Sequence, residues 1–130
     1  MIPDDRREPR AKPRGETFAK QERLIKTKDF RKVYRGGRSY RVGPVILRLL
    51  PNRALTSRIG FSISAKSIKR AFRRNRIKRL FREAYRRNKK ILKNGFDIVF
   101  VVRRDCKERF SYVDAEQILL SLSKEAGILL

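Results

Sequence analysis

Between residues 66 and 90 the sequence sets 13 lysines and arginines against a single acid, Glu83. The middle of this stretch, residues 73–87, reads RRNRIKRLFREAYRR. Side chains of this kind at this density do one kind of chemistry well: they hold phosphates, arginine through a planar fork and lysine as a compact point charge. The plainer reading is a solvated helix face, since surface helices are commonly rich in both residues. One acid cannot neutralise so many cations through intrahelical pairs, and like charges a turn apart repel unless an anionic partner offsets the cost. A polyanion is therefore the favoured partner of this stretch.

The same inventory excludes most protein-borne catalysis. There is no histidine and one cysteine, Cys106. A disulfide within the chain, a Cys/His zinc site and a Cys–His or Ser–His pair are all out of reach. Cys106 follows the basic pair Arg103 and Arg104, which favours a thiolate, but a lone thiol at a strand end is ordinarily inert. The 13 acids are scattered, and none group as a two-metal nuclease site requires.

At 130 residues with 40% hydrophobic composition, the chain is long enough for one domain with a modest core. A net charge of +23 draws it to nucleic acid and to anionic surfaces. No apolar run approaches the roughly 20 residues of a membrane span, and no apolar segment near the N-terminus reads as a signal peptide. The cytoplasm is the expected compartment. Residues 1–21 carry Pro3, Pro9, Pro13 and Gly15 among alternating charges, with Ile2 and Phe18 their sizeable apolar groups. They read as a disordered basic arm, either without a role or settling onto RNA. Residues 22–130 then form the single folded domain.

The elements that must position the cations follow from periodicity. On a helical wheel of about 100° per residue, Ile77, Leu80, Phe81, Ala84 and Tyr85 form one apolar arc of roughly 140°. Arg74, Asn75, Lys78, Arg79 and Arg82 fall in an adjacent arc of about the same width. One helix thus has an inward face and a cationic face side by side. Its phase does not extend cleanly back through residues 64–72, because Arg73 would enter the apolar arc. A loop or irregular first turn containing Lys66 is expected there, with Ser67 as a candidate cap and regular helix from Ile68 or Ala71.

An earlier, shorter helix has Thr27 as its candidate cap, Asp29 in the first turn and Gly36–Gly37 at its end. Phe30, Val33 and Tyr34 share one face; the two rings either pack as core or line a groove in which an unpaired base stacks. Residues 40–50 read as a strand with Pro44 near its start. Val45, Leu47 and Leu49 make an apolar face, and Ile46, Arg48 and Leu50 a mixed one. After a turn at Pro51–Asn52, residues 58–63 alternate again, and the two strands are expected to pair as a hairpin. Residues 91–95 form a turn, and FDIVFVV at 96–102 is the strand most suited to the sheet centre. Ser111 to Asp114 resembles a capping box, opening a helix with a stripe of Ala115, Ile118, Leu119, Leu122 and Ala126 and closed by Gly127. From Asp105 onward acids outnumber bases five to three, so this end reads as packing scaffold.

The element order and the string RIGFSISAKSIKRAFRRNRIKRLFREAYR together resemble the protein subunit of bacterial ribonuclease P, over residues 22–122. The most specific part is Arg-Asn-Arg followed by Ile-Lys-Arg and, two residues later, Arg-Glu. The resemblance implies an α+β fold, an α/β sandwich like the second domain of ribosomal protein S5, with about four strands, three helices and a left-handed β-α-β crossover. It implies that the chemistry belongs to an RNA subunit whose Mg2+ ions activate the water that cuts the 5′ leader from precursor tRNA. The implied partners are that RNA and precursor tRNA, with neither a membrane nor an obligate protein partner. The family's RNA-contacting motif falls on Arg74, Asn75, Lys78, Arg79 and Arg82, with Lys66 and Arg70 before it. The family's leader-binding cleft falls on Phe30, Tyr34, Ile46 and Arg48. Two departures stand out: Ser67, Ile68 and Lys69 lack the glycine common in relatives, and the arm before Glu22 is long. Rival readings are a ribosomal or assembly protein using the same fold on ribosomal RNA, and a duplex-DNA binder. Against the latter, the apolar arc marks the basic helix as packed on a sheet, and no zipper pairs two copies.

Overall fold

The computed structural model describes residues 22–130 except 25, 105, 107 and 108; the arm at 1–21 lies outside them. The elements run α1 (Thr27–Gly36), β1 (Arg38–Val42), β2 (Val45–Pro51), β3 (Arg58–Ser62), α2 (Ala71–Asn88), β4 (Phe96–Val102) and α3 (Tyr112–Ala126). A short 3₁₀ turn, Lys89–Ile91, follows α2.

The four strands form one mixed sheet in the order β1-β2-β4-β3. β4 lies in the interior because both its faces are apolar. Ile98, Phe100 and Val102 join the larger core against α2 and α3, while Val99 and Val101 pack with Leu24, Phe30, Val33 and Leu50 beneath α1. Alternation sends successive side chains to opposite faces, so a strand apolar at every position from Ile98 to Val102 needs cover on both. The result is three layers, with α1 on one side of the sheet and α2 and α3 on the other.

The hairpin expected between residues 40–50 and 58–63 does not form. Residues 40–50 themselves contain the hairpin: β1 and β2 pair antiparallel, Val42 opposite Val45, across a turn at Gly43–Pro44. Gly43 has φ +59, where a side chain is strained, and Pro44 lies in the turn, where its missing N–H breaks no ladder. β3 pairs parallel with β4 instead, Ile59 opposite Ile98 and Phe61 opposite Phe100. The doubly apolar β4 separates β2 from β3, which leaves β3, with Gly60 at its middle, as an edge strand.

Residues 22–24 follow that edge: the Leu24 N–H donates to the Ile59 carbonyl at 2.8 Å, and Lys89 pairs with Glu22 at 2.9 Å. The helix ends mostly match the sequence. Gly37 caps α1, Ser111 and Asp114 form the capping box of α3, and Gly127 closes α3 at φ +76. Thr27 does not cap α1. Lys26 stands at that position without a side-chain bond, and Thr27 is the first helical residue.

Candidate nucleic-acid interface

α2 buries Ile77, Phe81, Ala84 and Tyr85, with Leu80 half-buried beside them. Phe81 stacks on Phe100 with ring centroids 5.2 Å apart, which seats the helix on the central strand. With the apolar arc held there, Asn75, Arg79 and Arg82 are exposed on the flank, and Arg74 and Lys78 are partly covered beside them. Arg73 and Arg76, outside the cationic arc on the wheel, reach elsewhere. Their guanidinium groups donate to the carbonyls of Cys106 at 3.3 Å and Phe110 at 3.1 Å, pinning α2 to the segment after β4.

Charge in the arc is not cancelled from within. Glu83, the acid of the basic stretch, accepts from Arg86 Nε at 3.1 Å and Arg87 Nε at 2.9 Å, toward the C-terminal end of α2 and beyond the five residues of the cationic set. Among the described residues no carboxylate pairs with Lys78 or Arg79. Burial first, then the nearby Arg82 and Arg74, hold the Lys78 ammonium below the ordinary lysine range. Cations crowded this closely favour a bound anion.

Arg74 has a task its wheel position could not reveal. One of its terminal nitrogens donates to the carbonyls of Ile68 at 2.7 Å and Lys69 at 2.9 Å, closing the turn that leads into α2. That turn is further held by the Ser67 N–H on the Ser64 hydroxyl at 3.0 Å. Ser67 therefore braces the turn, while Arg70 occupies the cap position of α2 without a side-chain bond. The described non-glycine residue with positive φ is Arg53, so Ser67, Ile68 and Lys69 form the turn without the left-handed backbone that favours glycine. Lys66 and Arg70 are exposed beside it.

On the α1 side of the sheet lie the four residues expected to form the leader cleft, of which Tyr34 and Arg48 touch one another. Phe30 is half-buried among Leu24, Val33 and Val99, so it is largely wall. Tyr34 is 39% exposed. Arg48 donates to the Tyr34 carbonyl at 2.7 Å and lies 5.2 Å from the centre of its ring. The Arg48 Nε is buried without an acceptor among the described residues. Ile46, two residues before Arg48, shares its face and is half-buried.

Arg58 sets the position of α1. It donates to Asp97 at 2.9 and 2.7 Å and to Asp29 of α1 at 3.3 Å, so one guanidinium ties the helix to β3 and β4. Asp29 thus does more than favour the helix dipole.

The two residue sets meet at the β3 edge. A cleft of about 350 Å³ there is lined by Phe30 of the α1 side, Lys78 and Arg82 of α2, and Arg23 and Phe61 between them. The Arg82 guanidinium lies 5.3 Å from the centre of the Phe61 ring. Gly60 makes room: a Cβ on it would fall 2.6 Å from Phe30 Cζ and 3.1 Å from Leu24 Cβ. Sequence reading missed Arg23, Gly60 and Phe61 as site residues. A lone glycine at mid-strand, flagging close approach of another group, was the available signal for Gly60. Among the described residues no group of three or more His, Cys, Asp or Glu could hold a metal ion.

The family model described as Ribonuclease P matches residues 18–127. The ribonuclease P protein component of Clostridium botulinum (strain Loch Maree / Type A3) is 41% identical over 110 residues, covering 84% of this chain and 97% of that protein. The corresponding protein of Clostridioides difficile (strain 630) is 38% identical over 112 residues, covering 85% and 96%. The RNase P protein from Thermotoga maritima superposes with a TM-score of 0.72 at 34% identity, covering 80% of this chain and 96% of that one. The Staphylococcus aureus RNase P protein gives 0.74 at 26% identity, covering 84% and 98%. With its fold shared and most of its length matched at about 40% identity, this chain belongs to the family of ribonuclease P protein components.

Proposed function

We propose that the chain works as the protein subunit of ribonuclease P by docking the cationic face of α2 on the catalytic RNA and gripping the 5′ leader of precursor tRNA in the α1 cleft. Arg79 and Arg82 fork onto phosphates, Lys78 adds a point charge, and Asn75 hydrogen-bonds an RNA edge or orients its neighbours. Lys66 and Arg70 extend the same contact toward the turn that Arg74 holds shut. In the cleft, Tyr34 and Arg48 offer a ring and a guanidinium plane to an unpaired nucleotide, and Ile46 and Phe30 form the wall. A phosphate or base carbonyl reaching the Arg48 Nε would relieve a buried unpaired donor, worth about 1–3 kcal/mol.

What supports this reading is one observation: the apolar arc of α2 is buried on the sheet while Lys78 and Arg79 stay unmatched by described carboxylates. The chain's own work is positioning. It neutralises phosphate repulsion and adds affinity for precursor over mature tRNA, whereas the RNA and the Mg2+ it binds supply the hydrolysis. No helix among the described residues is long and apolar enough to cross a membrane, in keeping with work in the cytoplasm beside the RNA.

Reconstitution provides the test. Adding the chain to ribonuclease P RNA should permit precursor cleavage at Mg2+ concentrations where the RNA alone is inactive. Lys78→Ala combined with Arg82→Ala should return the Mg2+ requirement toward that of RNA alone. Full activity of this double variant at low Mg2+ would contradict the proposal.

A further inference from the structure

Phe72, in the first turn of α2, is 63% exposed, a poor place for a phenyl ring in a free protein. On the wheel it lies about 20° from Arg79 and about 60° from Asn75, well away from the buried arc. It thus continues the exposed stripe of Asn75 and Arg79 by one turn toward the N-terminus. The Arg70 guanidinium lies 6.0 Å from the ring centre, and Lys66, Lys69 and Arg70 are all exposed in the segment that precedes it. An apolar protein partner would meet this ring only by burying that charge. A folded RNA meets both features, because its phosphates match the cations and any unpaired base has a flat face to lay on a ring.

We infer that Phe72 is a base-stacking contact of the α2 surface, holding one unpaired nucleotide of the ribonuclease P RNA while Asn75 and Arg79 engage its neighbours. The inference rests on the proposed docking of this helix face and adds a residue that reads an unpaired base as well as charge. Stacking gives the surface a preference for single-stranded or bulged sites over regular duplex, which phosphate contacts alone do not supply.

The test uses the full chain, ribonuclease P RNA and the variants Phe72→Trp, Phe72→Leu and Phe72→Ala. The chain contains no tryptophan, so Phe72→Trp introduces a lone indole that can be excited selectively over the four tyrosines. Its emission should be quenched when RNA saturates the protein and unmoved when polyphosphate, which offers charge without bases, does so. RNA affinity should rank wild type and Phe72→Trp above Phe72→Leu and Phe72→Ala. Phe72→Ala should bind about 5- to 150-fold more weakly, the ~1–3 kcal/mol of one stacked base, at an unchanged salt slope and melting temperature. An unquenched tryptophan on bound RNA, or Phe72→Leu binding as tightly as wild type, would overturn the stacking. Arg79→Ala, measured alongside, separates the two layers. If it lowers the salt slope by about one unit while Phe72→Ala changes nothing, stacking alone fails. If it leaves the slope untouched, the docking face fails and stacking on it fails too.

Discussion

At the scale of single residues, the cationic arc carries a strain that Lys78 makes measurable. Its folded pKa lies below that of a free lysine, chiefly through burial and then through Arg82 and Arg74. The unfolded chain therefore holds the Lys78 proton more tightly than the folded one. Stability of the free protein should rise with pH across the window between the folded value and the ordinary 10.5. Replacing Lys78 with Met should raise the melting temperature at neutral pH, flatten that rise and weaken RNA binding; a lower melting temperature would show that the charge is not a burden. Gly60 gives a second expectation. Gly60→Ala sets a methyl 2.6 Å from Phe30 Cζ, so the ring must move, at about 1–3 kcal/mol of stability read by urea unfolding. The arc itself was legible in the sequence because helical phase alone sorts Asn75, Lys78, Arg79 and Arg82 from the buried set. The Arg74 bonds to Ile68 and Lys69 were not, since they depend on how the chain turns before the helix.

Among the elements, what periodicity reports is which face a side chain takes, and what it omits is which strand lies alongside. Val45, Leu47 and Leu49 fall on the buried face as read, and Arg48 on the other. The pairing of β3 with β4 had to wait for the fold, because one strand's alternation carries no information about its neighbour. The position of α1 was equally hidden, as Asp29 and Arg58 lie 29 residues apart in sequence and meet only when β4 brings Asp97 between them. Arg58→Met should leave Asp97, 4% exposed, with Asn52 as its remaining described side-chain partner. We expect a loss of about 3 kcal/mol or more in denaturant unfolding, together with weaker leader binding as α1 shifts. Unchanged leader affinity in a variant that still folds would mean that α1 does not define the cleft.

For the whole molecule, the net charge of +23 makes association with RNA steep in salt and the free protein self-repelling. α3 and its flanks carry little of that charge and serve as packing, as the balance of acids after residue 105 had indicated. The cationic side runs from Lys66 along α2 and over the β3 edge, through Lys78, Arg82 and Phe61, to Phe30 and the α1 cleft. Neither residue set alone discloses this continuity, because the edge position of β3 joins them.

The most direct check on the claim that this side docks on RNA is the slope of log K against log salt for binding to ribonuclease P RNA. Contacts to about five phosphates give the wild type a slope of several units, at roughly 0.7–0.9 per phosphate. Arg79→Ala should lower it by about one of those increments, while Lys124→Ala on α3 should leave it in place. Equal slopes for wild type and Arg79→Ala, or a fall for Lys124→Ala alone, would contradict the account.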